Sequence, residues 1–68
     1  MNKNNIREIV EGIVDAADEL LEKTERDLVE QGQLIAYAES LSIIRDACAG
    51  YDLSEIGLDF DIDSKYLR

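Results

Sequence analysis

The chain has 68 residues, with 16 acids against 7 bases, a formal net charge of −9, and neither histidine nor proline. That balance argues against the basic, phosphate-facing surfaces of nucleic-acid and anionic-membrane binders, while a hydrophobic content of 46% is too high for a disordered acidic tail. The lone Cys48 rules out an intramolecular disulfide and a structural zinc site, so a chain with so much surface for its interior is expected to lean on a partner chain for stability.

No apolar run approaches the roughly 18 residues that span a bilayer. Met1 to Asn5 lack the apolar core of a secretion signal. A cytoplasmic setting is the expectation, and a single reduced cysteine fits it.

The first segment is predicted to be a helix from about Ile6 to Glu22. Asn5 and Glu8 have capping-box spacing. Ile6, Ile9, Val10, Ile13, Val14, Ala17, Leu20 and Leu21 fill one stripe about 140° wide at 3.6 residues per turn. Glu8, Glu11, Asp15, Asp18, Glu19 and Glu22 take the opposite side.

A second helix is predicted from about Glu25 to Ala49, with Thr24 and Asp27 marking its start and Gly50 its stop. Its main apolar face carries Leu34, Tyr37, Ala38, Leu41, Ile44 and Cys48. A second strip holds Ala36, Ser40, Ile43 and Ala47, and a helix with two apolar faces touches two neighbours. Were the two helices continuous, their stripes would diverge by roughly 100°. A turn near Lys23-Thr24-Glu25, with Gly32 as a second candidate break, resolves the mismatch and makes an antiparallel hairpin; one unbroken long helix is the alternative.

The third segment, Tyr51 to Arg68, opens with Asp52 and Glu55 at capping-box spacing. One helical turn from Leu53 to Ile56 is predicted, ending at Gly57. Leu58, Phe60 and Ile62 then alternate with Asp59, Asp61 and Asp63, the mark of an extended segment with one buried side. The expectation is a tail laid over the helices and anchored by Phe60 and Ile62, or a strand that pairs with a partner.

The aspartates of that tail mimic the opening of a calcium loop. Position 6 is Ser64 instead of glycine, and no helix enters the loop, so they are read as the solvated side of the tail. The acids of the first helix lie opposite its apolar stripe and lack histidine, which argues against a di-metal site. Cys48 has no histidine to activate it and shares a face with Leu41 and Ile44, so it reads as a small core residue. Gly12, Gly32, Gly50 and Gly57 are scattered and form no phosphate loop. No catalytic residue, metal, cofactor or small-molecule substrate is expected.

The fold expected is all-α: a two-helix antiparallel hairpin with a short C-terminal helical turn or extended tail. Two hairpins would pair into a dimeric four-helix bundle, burying both apolar faces of the second helix. Leu34, Tyr37, Leu41, Ile43, Ile44 and Cys48 are the candidate core or self-association residues. Glu11, Asp15, Asp18 and Glu22 are the candidate docking face for a basic partner, because complementary charge speeds encounter and filters partners. The functional expectation is a non-enzymatic interaction or regulatory accessory module working as a homodimer or with a protein partner. The alternatives are an acidic nucleic-acid mimic that occupies a basic groove, and a structural subunit of a larger complex.

Overall fold

The computed structural model describes residues 2–67. Those residues are all-helical, with two long helices, α1 (Lys3–Glu22) and α2 (Leu28–Ala47), and two short ones, α3 (Leu53–Ile56) and α4 (Ile62–Tyr66). Ile6 and Ile9 near the start of α1 meet Ile43, Ile44 and Ala47 near the end of α2, so the long helices form an antiparallel hairpin.

Capping chemistry sets the boundaries, and it departs from the sequence expectation at both long helices. The first helix starts three residues earlier than predicted. Asn2 is its N-cap, and the Asn2 side chain accepts the Asn5 backbone N–H at 3.0 Å. The predicted cap, Asn5, is itself helical, because Asn2 offers the same oxygen one turn earlier.

The connection spans residues 23–27. Arg26 Nη1 donates to the Leu20 carbonyl at 3.1 Å, which also accepts the capping Lys23 N–H, and to the Lys23 carbonyl at 3.4 Å, so it ties the turn to the end of α1. Asp27, not Thr24, caps α2. Its carboxylate accepts the Glu30 N–H at 2.8 Å, and Glu30 accepts the Asp27 N–H in return at 3.3 Å. This reciprocal box satisfies two donors at once, an advantage that Thr24 lacks. A Lys23–Glu30 ion pair closes the turn.

The predicted turn from Leu53 to Ile56 forms as α3, capped by Asp52 and ended by Gly57 at φ +82°. In this left-handed conformation a side chain is strained, and a Cβ there would lie 3.6 Å from Val10 Cγ1. The Leu58 N–H returns to the Leu53 carbonyl at 2.8 Å, closing the helix end. Glu55 takes no part in the cap through its side chain. Its carboxylate pairs instead with Lys3 at 3.0 Å, tying α3 to the start of α1.

The tail is not extended throughout. Asp61 accepts the Ser64 N–H at 3.1 Å and starts α4. Leu58 and Ile62 are four residues apart, as are Ile62 and Tyr66, and all three are buried, while Phe60 is half-buried against them. The alternation therefore holds in burial from Leu58 to Ile62 along the non-helical stretch, which ends where Asp61 caps α4.

The C-terminal segment runs along the hairpin from the start of α1 to the start of α2. Its Ile56, Leu58, Ile62 and Tyr66 join Ile6, Val10, Ala17 and Leu20 of α1 and Leu34, Ala38 and Leu41 of α2 in one core. Leu41 and Ile62 are equally inaccessible. Ile62→Ala is therefore expected to destabilise the chain as much as Leu41→Ala, by about 2–5 kcal/mol. Asp59→Ala, on the exposed side of the same segment, should leave the urea midpoint followed by circular dichroism unchanged.

Candidate interaction surface

The structure divides the six candidate core or self-association residues. Leu34 and Leu41 are buried, and Tyr37, Ile44 and Cys48 are half-buried against the core. Ile43 points away from it and is 67% exposed.

Ile43 belongs to a larger uncovered strip. At 100° per residue, Val29, Gly32, Ala36, Ser40, Ile43 and Ala47 fall within about 80° of one another on α2. Val29 is 70% exposed, and Gly32, Ala36 and Ala47 are also exposed. Ser40 turns its hydroxyl back on the helix, donating to the Ala36 carbonyl at 2.8 Å, and so leaves no unsatisfied donor on the strip. Leu28 at 85% and Ile35 at 47% exposure flank it.

Leu28, Val29 and Ile35 were not picked out from the sequence. The signal was present: continuing the Ala36–Ser40–Ile43–Ala47 spacing backwards by fours and threes reaches Gly32 and Val29. A surface helix of a self-sufficient domain shows one apolar stripe. The first helix obeys that rule, and α2 does not.

At the C-terminal end of α2 the strip borders a groove of about 270 Å³, lined by Ile6, Ile9, Ile43, Ile44, Ala47 and Cys48. Every lining side chain is apolar or a thiol. Ile9 on its rim is 45% exposed. A second cleft, of about 420 Å³, lies at the opposite end between Arg26, Gln31, Leu34, Ile35, Tyr66 and Leu67.

The four candidate docking acids do not act alike. Asp15 and Glu22 are exposed on α1. Glu11 is exposed too, but pairs with Arg7 at 3.0 Å one turn earlier. Asp18 faces the C-terminal segment, where its Oδ1 accepts the Tyr66 hydroxyl at 2.8 Å and pairs with Lys65 Nζ at 3.2 Å. Lys65 Nζ also lies 4.9 Å from the Phe60 ring centroid, and Phe60 meets Tyr66 edge-to-face at 6.2 Å. Asp18 thus fastens α4 to α1.

Among the described residues, no three of His, Cys, Asp and Glu come together to hold a metal ion, and no buried side-chain nitrogen or oxygen lacks a partner. No helix there is long and apolar enough to cross a membrane. No protein-family model, curated protein or solved structure matches the chain.

Burial and the hydrogen bond to Asp18 push the Tyr66 phenol above its ordinary value. Burial pulls the Lys65 ammonium down, but hydrogen bonds to Asp18 and Tyr66 outweigh it and leave Lys65 above its ordinary value. Both groups have folded values raised above their unfolded ones. Their stabilisation is complete below about pH 10 and is lost as pH rises through the folded values. Tyr66→Phe is expected to lower stability by about 1 kcal/mol at neutral pH. It should also reduce the loss between neutral pH and pH 11, read as urea midpoints across that range.

Proposed function

We propose that this chain is a non-enzymatic protein-interaction module that works as a dimer of hairpins, docked through the outward face of α2. The observation that carries this reading is the uncovered strip itself. Val29 and Ile43 stand mostly in solvent on a helix whose other side already lies in the core. Contiguous exposed apolar surface on a soluble chain marks a contact surface. Pairing two hairpins there makes the dimeric four-helix bundle in which both faces of α2 are covered.

Non-enzymatic action is supported by the chemistry of the side chains. The chain has no histidine, and its lone thiol sits half-buried among isoleucines. The acids of α1 that remain in solvent, among them Asp15 and Glu22, would give such a dimer a negatively charged exterior for a basic partner.

The nucleic-acid mimic has less support, because Asp18 is engaged with Tyr66 and Lys65, and Glu11 with Arg7. The structural-subunit reading has less support as well. The C-terminal segment supplies the core side chains that a missing subunit would otherwise have to provide.

Sedimentation equilibrium at micromolar concentration tests the proposal. The expected mass is twice the 7.7 kDa of the chain. Ile43→Glu should weaken association about 30-fold or more, the effect of losing a contact of about 2 kcal/mol, with an unchanged circular dichroism spectrum. A wild-type chain that sediments as a monomer at every concentration contradicts the reading.

A further inference from the structure

Five bases of this acidic chain are paired with acids: Lys3 with Glu55, Arg7 with Glu11, Lys23 with Glu30, Arg45 with Asp46 and Lys65 with Asp18. Arg26 has no carboxylate partner among the described residues. Its Nη1 donates to the carbonyls of Leu20 and Lys23, which are neutral acceptors and leave the positive charge uncompensated. The nearby Glu30 is taken by Lys23 and the Asp27 N–H. Among the described residues no hydrogen bond uses the Nε–Nη2 edge of Arg26. That edge is a fork that a carboxylate grips with two parallel hydrogen bonds.

Arg26 is also held in place. Its guanidinium is fixed on two carbonyls, and its own carbonyl accepts a hydrogen bond from Gln31 Nε2 at 3.0 Å. A cation held this way loses little freedom when an anion binds it.

This cation lines the cleft of about 420 Å³ together with Gln31, Leu34, Ile35, Tyr66 and Leu67. Leu34 and Tyr66 are almost wholly buried and make its floor. The Tyr66 hydroxyl is spent on Asp18, so the cleft receives the ring. Ile35 and Leu67 are exposed and make its rim. The cleft thus joins one fixed cation to apolar surface, whereas the groove at the other end of the hairpin is lined by apolar side chains and a thiol. Its volume lies near the small end of the range of ligand pockets, roughly 300–1,000 Å³.

From this juxtaposition we infer that the cleft is a binding site for a small organic acid, a single carboxylate on a short apolar body. The carboxylate takes the Nε–Nη2 fork of Arg26. The apolar body lies over Leu34 and the Tyr66 ring, between Ile35 and Leu67. A bare anion gains nothing from the apolar floor and is repelled by a chain of charge −9. A neutral apolar molecule leaves Arg26 unpaired, and a second carboxylate adds to the repulsion. The described residues are all-helical and offer no sheet edge to pair with a peptide main chain, so the acid is a free small molecule. Arg26 and Leu67 come together only in the fold, which is why this ligand is not legible in the sequence. The site is complete within one chain and stands apart from the dimer reading.

Octanoate, titrated below its micelle concentration into nitrogen-labelled chain and followed by amide nuclear magnetic resonance, tests the assignment. Acetate and octan-1-ol are the controls, the first lacking the apolar body and the second the charge. Octanoate is expected to give saturable shifts at the amides of Gln31, Ile35 and Leu67 and at Arg26 Nε–H. Both controls should bind about tenfold more weakly or worse. Leu67→Glu sets a like charge on the exposed rim, and should weaken octanoate by a similar factor with an unchanged circular dichroism spectrum. Arg26→Gln should remove the preference for octanoate over octan-1-ol; if it loosens the turn, Leu67→Glu alone decides. Octan-1-ol binding as tightly as octanoate overturns the assignment. So do shifts confined to Ile9, Ile43 and Ala47 at the other groove, or the absence of any saturable shift.

Discussion

The packing of the C-terminal segment across the hairpin is the contact on which the rest of this structure depends. Two helices of 20 residues meet along one line and leave each other's flanks open. A third layer is needed before Val10, Ala38 and Leu41 can leave water together. Ile56, Leu58, Ile62 and Tyr66 provide it, and Gly57 lets the segment turn close over Val10. Ion pairs tie its ends to opposite ends of α1, Lys3–Glu55 at one and Lys65–Asp18 at the other. Surface pairs of this kind are worth little individually. Their role is to hold the segment in the register that seats its apolar side chains.

Once that side of the hairpin is filled, the chemistry of α2 becomes the main fact about function. One side of this helix, with Leu34, Ala38 and Leu41, is enclosed by α1 and the C-terminal segment. The other side, with Val29, Ala36 and Ile43, has nothing over it among the described residues. The first helix shows what this composition does when one face is meant for water, since its outer positions are glutamate and aspartate. The contrast between the two helices makes the exposed apolar face of α2 the feature on which the proposed dimer rests.

Much of this architecture is legible in the residues, and the misreadings have local causes. The apolar stripes and the angular mismatch between them give two helices joined by a turn. Gly57 gives the end of α3. The exact helix starts are less legible because several Asn, Thr and Asp side chains near each start can serve as caps, and the choice depends on reciprocal partners such as Glu30. The tail is half legible: Leu58, Phe60 and Ile62 alternate in burial as their period of two suggests, but the helix that follows is hidden because Asp61, read as one of the solvated aspartates, caps α4 and places Tyr66 one turn beyond Ile62. Asp18 belongs to the acidic face on a helical wheel, but the wheel carries no information on where Tyr66 and Lys65 will arrive. The candidate surface is half legible: Ile43 and the small residues beside it stand out and their spacing leads back to Val29, while the groove at Ile9 emerges only when the hairpin is closed.

The central claim is that α2 of one chain lies against α2 of another. The most direct measurement is an isotope-filtered nuclear Overhauser experiment on a sample mixing methyl-labelled and unlabelled chains. The account predicts intermolecular contacts from the exposed methyl groups of Val29 and Ile43 to α2 of the partner chain. Narrow lines of a 7.7 kDa species with contacts only within a chain would contradict it.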